Sequence, residues 1–421
     1  MFKKITLENG LRIILAPQKD SLSTTVLILV EAGSKYETKD INGLSHFLEH
    51  MCFKGTKKRP TVLDIARELD GIGAGYNAFT SQEYTGYFAK ARNAHFGTIL
   101  DVVSDIYQNQ IFDQKEIDKE RGVIIEEINM YEDLPMEKVG ELFVELLYGD
   151  QPAGWSVAGR KEVIKKITRD DFVKYHGKNY VASSTIVVVA GGFDENKAAE
   201  AVKKQFSGIS VKEKAAKIKT VEHQEKPAVN LKFKETDQTH LVLGTRAFDI
   251  FDSRKYALGV LSDILGGGMS SRLFQKIRGD LGAAYYVHAS DDLLTDSGFF
   301  SVSAGIDHAK IETVIEAVLG ELKKTAEKEI GKKELDRAKE HLIGGLILSL
   351  ETSNRLANFY GGQEVLTRQI DTPEELIKKV QAVTSEEIIK IANDLFQNDK
   401  LNLAVIGPFK EKEKFEKILK F

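Results

Sequence analysis

What most constrains the fold of this chain is that it repeats itself. Residues 167–193 and 383–409 are equal in length and align without a gap at an offset of 216. ITRDDF in the first stretch matches VTSEEI in the second: a threonine cap, two acids in the following turn, then apolar positions. Further on, TIVVVAG from Thr185 matches LNLAVIG from Leu401, each a predicted buried strand that ends in glycine and leads into a Lys/Glu-rich helix. The fronts agree as well, since TVLILVEA from Thr25 resembles HLVLGTRA from His240, each ahead of an amphipathic helix. Such a chain folds as two copies of one α+β domain of about 200 residues.

Composition draws the seam. Residues 211–227, VKEKAAKIKTVEHQEKP, are charged and poor in apolar side chains and read as a surface linker. The expected domains are therefore 1–210 and 229–421, with 211–228 between them. At 421 residues and 42% hydrophobic content the chain has the material of a soluble globular protein with more than one core. A net charge of −4 leaves no footprint for nucleic acid. Asn9-Gly10 between two short apolar runs predicts a hairpin. That opening has neither the apolar stretch nor the small-residue cleavage site of a signal peptide. The longest apolar runs, near 25–30 and 342–350, are too short or too broken to span a bilayer. Cys52 is the sole cysteine, which excludes an intrachain disulfide and points to a reducing compartment. The expected location is cytoplasmic.

The chemistry begins at residues 43–51, GLSHFLEHM, where His46, Glu49 and His50 stand in the order H-x-x-E-H. On a helix, residues four apart share a face, so both histidines can point at one ion with Glu49 on the same side. Leu44, Leu48 and Met51 fall opposite, as a stripe that docks the helix on a core. Cys52 faces away from the pair and reads as packing. Two imidazoles and a carboxylate able to act as general base are the parts of a hydrolytic zinc site, and the inverted order is the inverzincin pattern. Taken alone, the motif also fits an amphipathic helix with two solvated histidines.

A catalytic zinc needs a third protein ligand. Residues 119–133, KERGVIIEEINMYED, predict a helix entered from Asp113 with Glu116 in its first turns. Glu120 and Glu127 lie two turns apart and almost in line, with Glu126 turned about 100° away. A helix of this kind can give one carboxylate to a metal and keep the other behind it to orient a ligand or water. Without a metal it is a solvated acidic face.

These two helices, and the strand GYNAFT between them, closely resemble the M16 (pitrilysin) family of zinc metallopeptidases. The resemblance implies one Zn2+ per chain, held by His46, His50 and Glu127, with water in the fourth position, Glu49 as general base and Glu120 behind the ligands. The family's spacing from the Glu-Arg pair selects Glu127 over Glu126. It also implies two homologous α/β-sandwich domains, each a mixed, mostly antiparallel sheet with helices packed on it, forming one half of a clamshell. The implied activity is that of a zinc-dependent endopeptidase acting on unfolded peptides or on pro- and presequence segments. Large members build the clamshell from four such domains and this chain has two, so a homodimer is implied. A non-catalytic, peptide-binding subunit of the same family is the alternative, and the intact H-x-x-E-H and distal glutamate argue against it.

In the second copy the counterpart of the motif helix, residues 257–265, carries no histidine at the ligand positions, so metal binding belongs to the first half. LGGGMSSRLF, residues 265–274, lacks the spacing of a phosphate loop and predicts a glycine hinge or turn before a helix. Within RGDLGAAYYV, residues 278–287, Arg278 and Tyr285 match the family's Arg-x6-Tyr pair. The resemblance gives Tyr285 the role of donor to the oxyanion and Arg278 a hold on substrate backbone. Tyr286, facing the other way in a strand, stays open as the donor, and core packing is the other use of both tyrosines. GAGYNAFT, residues 73–80, predicts a strand edge where Asn77, Ala78 and Phe79 pair backbone to backbone with an extended peptide. The expected partners are such a peptide and a second copy of the chain, with neither nucleic acid nor membrane.

Overall fold

The structure is a computed structural model and describes residues 2–421. The first half runs β1 (Lys3–Thr6), β2 (Arg12–Pro17), β3 (Ser23–Val30), α1 (Leu44–Cys52), α2 (Val62–Asp70), β4 (Gly75–Thr80), β5 (Thr85–Arg92), α3 (Phe96–Gln108), α4 (Gln114–Asp133), α5 (Pro135–Tyr148), the short α6 (Lys161–Ile164), α7 (Arg169–Asn179), β6 (Thr185–Gly191) and α8 (Glu195–Gln205). The second half runs β7 (Ala228–Phe233), β8 (Thr239–Arg246), α9 (Lys255–Gly266), β9 (Ala284–Leu293), β10 (Gly298–Ile306), α10 (Ile311–Glu327), α11 (Lys332–Ser349), α12 (Ser353–Thr367), α13 (Pro373–Ala382), α14 (Ser385–Leu395), β11 (Leu401–Gly407) and α15 (Glu413–Ile418).

The repeat is present in three dimensions. The six-stranded sheet has the order β1-β2-β6-β3-β5-β4 and the five-stranded sheet the order β7-β11-β8-β10-β9. Apart from β1, strand follows strand in the same sequence. In each sheet one pair is parallel, β2 with β6 and β7 with β11, and the other pairs are antiparallel. The equivalent helices α7 and α14 start at matching capping boxes. Asp171 accepts from the backbone N–H of Thr168 at 2.8 Å, and Glu387 from that of Thr384 at 2.9 Å. The fold is the mixed α/β sandwich expected.

The compact units do not follow the linear boundaries expected from the linker. One unit takes the chain up to Ile128, Trp155–Ile218 and Ile347–Thr372; the other takes Asn129–Gly154, Lys219–Leu346 and Pro373–Phe421. The reason is that β6 and β11 are buried along their whole length and apolar on both faces, so each sheet needs two covers. In the first unit α1, α3, α7 and α8 cover one face. The other face takes Leu356, Ala357, Tyr360 and Val365 of α12 against Leu27, Leu29, Ile186 and Val188. Gly361 allows that approach, since a Cβ there would stand 2.7 Å from Leu29. In the second unit α9, α10 and α14 cover one face and α5 the other, through Val139, Leu142, Phe143 and Leu147 against Val242, Ala404 and Ile406.

Charge fixes α12 as well. Glu364 is fully buried and pairs with Arg12 at 3.3 Å and with Lys4 at 2.7 Å, while Arg12 also binds Glu31. The segment between α8 and β7 has no regular element, but it is not free of the first unit: Lys214 pairs with Glu31 and Lys217 with Glu83. Among the described residues no helix is long and apolar enough to cross a membrane.

Candidate metal centre

The site is built on α1. Leu44, Phe47, Leu48, Met51 and Cys52 bury one side of this helix in the core, which turns His46, Glu49 and His50 the other way. Gly43 leads into it at φ 95°, where a Cβ would meet Ala158 O at 2.7 Å, so glycine is required there. A glycine has no side chain with which to cap the helix. The cap comes from Glu37, whose Oε1 accepts from Ser45 N at 2.6 Å and whose Oε2 accepts from Gly43 N at 2.7 Å and from Asn42 Nδ2 at 3.1 Å. Burial pushes the Glu37 carboxyl up to about 7, with these donors pulling the other way.

α4 supplies the carboxylates. Asp113 starts it by accepting from the N–H groups of Lys115 and Glu116 at 2.9 and 3.2 Å. Ile117 and Ile124 bury its inner side, and Arg121 reaches the backbone carbonyls of Ile164 and Ile167. So held, α4 brings Glu127 Oε2 to 3.6 Å from Nε2 of both His46 and His50. Glu120 turns one oxygen to His50 Nδ1 at 2.8 Å and the other to Lys54 Nζ at 2.5 Å. Glu126 takes no part in the cluster.

Electrostatics follow from burial and neighbours. Burial, helped by the His50 charge, lowers the pKa of His46 to about 4, so its imidazole is neutral near pH 7. Burial acts the same way on His50, but the hydrogen bond to Glu120 and the surrounding carboxylates outweigh it and raise its pKa. Burial raises Glu49, against a hydrogen bond from Thr80 Oγ1 to its Oε2 at 2.7 Å. Burial also opposes the charge on Glu120, yet His50 and Lys54 hold its pKa below the usual value.

The donor set fits zinc. His46, His50 and Glu127 each offer one atom within 4.8 Å of the others. Two ligands at ~2.1 Å in a tetrahedral shell stand about 3.4 Å apart, close to the observed separations from Glu127. The two nitrogens and one carboxylate match the usual ligands of a catalytic zinc, and Glu120 on His50 Nδ1 is the outer partner that orients such a ligand.

Next to the cluster, β4 is an edge strand, and among the described residues it pairs only with β5 and has no strand along its other side. Asn77 is exposed, Phe79 half-buried and Ala78 buried. A cavity of about 190 Å³ lies beside it, lined by Phe53, Val62, Ile65, Ala66, Tyr76 and Asn77.

The pattern of the family described as Insulinase (Peptidase family M16) matches residues 12–161, and that of the Peptidase M16 inactive domain matches residues 166–342. The chain is 37% identical over 409 residues to the uncharacterized zinc protease YmxG of Bacillus subtilis strain 168, covering 97% of this chain and 98% of that one. The chain belongs to peptidase family M16. A second relative, the uncharacterized zinc protease SCO5738 of Streptomyces coelicolor, is 34% identical over 420 residues, covering 98% of this chain and 90% of its own. The crystal structure of a protease from Helicobacter pylori shares the fold, with a TM-score of 0.91 at 24% identity over 97% of this chain and 100% of that one.

In this M16 chain the remaining expected residues lie in the second unit. Arg278 sits in a π-helical turn, Phe274–Asp280, over the ring of Phe274. Tyr285 is 73% exposed at the start of the edge strand β9. Tyr286 is half-buried, its hydroxyl 3.1 Å from His240 Nδ1 and its ring against Gly305, so it is engaged in packing. Of the three glycines at the end of α9, Gly266 and Gly267 are close-packed, since a Cβ would stand 2.1 Å from Ala289 N and from Asp263 Oδ1 respectively. A Cβ on Gly268 would meet nothing nearer than 3.6 Å. Sequence reasoning missed Thr80, Lys54, Arg121 and Glu37. Lys54 carried a signal, one turn after His50, and Thr80 closes the strand that was singled out. Glu37 carried none.

Proposed function

We propose that this chain is a zinc-dependent endopeptidase that hydrolyses peptide bonds in unfolded peptides or in pro- and presequence segments. The observation that carries the reading is the convergence of His46, His50 and Glu127 on one point beside Glu49. These three residues hold the metal. When bound, zinc supplies Lewis acidity and lowers the pKa of water. Glu49 takes the proton of the attacking water and gives it to the leaving amine. Its burial raises its proton affinity toward what that transfer needs, and Thr80 fixes its Oε2. Glu120 keeps His50 in one orientation, and Lys54 balances its charge.

The substrate adds as a strand along the open edge of β4 at Asn77, Ala78 and Phe79. Main-chain pairing of this kind favours extended peptides and tolerates varied sequence. The apolar cavity next to the edge suits a bulky apolar side chain of the peptide. Tyr285 donates to the developing oxyanion and Arg278 holds substrate backbone; the exposure of Tyr285 favours it over the engaged Tyr286. The working form is a homodimer in the cytoplasm.

Metal analysis of the purified protein, paired with cleavage of a quenched unstructured peptide with and without chelator, tests the reading. About one zinc per chain and chelator-sensitive cleavage are expected. Glu49→Gln should keep the metal and lose turnover by at least about 100-fold. A metal-free protein, or cleavage that survives Glu49→Gln, overturns it. Mixing inactive Glu49→Gln and Tyr285→Phe chains tests the homodimer with residues shared between copies: recovered activity supports it, and none argues for sites complete within one chain.

A further inference from the structure

The two histidines of α1 are held differently. His50 has Glu120 on its Nδ1 at 2.8 Å, the outer partner expected of a metal ligand. Nδ1 of His46 is buried and has no hydrogen-bond partner among the described residues. On its Nδ1 side the His46 ring therefore has only the backbone that carries it to set its direction. His46 lies in the first turn of α1, where the N–H groups have no partner inside the helix. Gly43, at the cap position, cannot supply one.

We infer that Glu37 is a positioning residue for the metal site, fixing through the first turn of α1 the ligand His46, whose Nδ1 has no side-chain partner among the described residues. Its two carboxylate oxygens take the N–H groups of Gly43 and Ser45, on either side of Leu44 and immediately ahead of His46. Glu37 is only 1% exposed, so it cannot swing away to solvent. An anion at a helix N-terminus is held by the helix dipole as well as by these bonds. Tyr175 ties the same turn from another side, with its hydroxyl 2.6 Å from Ser45 Oγ and donating to Gly33 O at 3.2 Å. Without the carboxylate, buried N–H groups of the first turn lose their acceptor and the turn frays. Fraying displaces His46, while His50 and Glu49, one turn later, stay on Glu120 and Thr80.

The inference rests on the zinc-peptidase reading, and its test separates the two. In the full chain, Glu37→Gln keeps the volume but turns an amide group toward one of the N–H donors, and Glu37→Asp keeps the charge but shortens the reach. Zinc affinity by chelator competition should fall about 10-fold or more in both. Amide exchange of Ser45 and His46 in the metal-free protein should quicken about 10-fold, while the metal-free melting temperature at about pH 8 should not fall in parallel. Zinc affinity within about twofold of the wild type in both variants overturns the inference and leaves the peptidase reading standing. A loss of affinity that only tracks a loss of melting temperature overturns it too, as a purely structural role. If the wild type binds no zinc, the peptidase reading fails, and unchanged exchange in Glu37→Gln overturns the cap as well.

Discussion

The hydroxyl of Thr80, the last residue of β4, donates to Oε2 of Glu49 at 2.7 Å. One hydrogen bond thus ties the open strand edge to the acid of the H-x-x-E-H helix. Thr80→Val keeps the shape and removes the donor. The bond holds down a carboxyl that burial has already raised, so its loss moves the pKa of Glu49 further up. The acid limb of the pH–rate profile should shift to higher pH, and kcat near neutrality should fall about 10-fold. An unmoved limb would disconnect Thr80 from the base.

Glu120 stands between His50 and Lys54. Glu120→Gln should weaken zinc binding by about 10–100-fold, read by competition with a chromogenic chelator. Lys54→Met should act in the same direction and less strongly. Wild-type affinity in Glu120→Gln would remove Glu120 from the ligand's support.

The cavity beside β4 can be filled from Ala66. Ala66→Phe should raise KM about 10-fold for peptides with a large apolar residue near the scissile bond and hardly at all for those with a small one. An equal rise for both would mean that the cavity does not receive the side chain.

Arg12 is buried between Glu31 and Glu364. Arg12→Leu leaves two buried carboxylates short of their cation and should destabilise the unit that holds α12 by about 3–5 kcal/mol in urea unfolding. A change below about 1 kcal/mol would show that Lys4, Lys214 and Arg368 compensate fully.

The pH dependence of stability carries a mark of Glu37. Its folded value, pushed up to about 7 mainly by burial, lies above the ordinary glutamate value. The folded state therefore binds more protons between those values. The favourable contribution is complete below the unfolded pKa and is lost as pH rises through about 7. Glu37→Gln should flatten the fall in stability measured by denaturant unfolding between about pH 5 and 8. An unchanged slope would mean that Glu37 does not titrate there.

Local periods made much of this protein legible. His46, Glu49 and His50 were placed on one face, and Glu120 in line with Glu127, because the helical period is set by neighbours within a few residues. Thr168 and Thr384 announced two helices because caps are local too. The continuous apolar runs of β6 and β11 gave away buried strands. They did not say which helix would cover their second face.

From the sequence by itself came the duplication of one α+β domain and the faces on which the metal-binding groups stand, while the shared strand order of the two sheets is a finding of the structure. Tertiary structure alone decided that α12 covers the first sheet and α5 the second. It also brought Thr80 to Glu49 across 31 residues and Glu120 to His50 across 70, and Arg12 to Glu364 across 352. The physical reason is range. A helical or strand period records only where a residue points on its own element. Which partner meets it depends on how distant elements pack, and Glu37, which lies in no periodic element, could be recognised only once its carboxylate was seen at the start of α1.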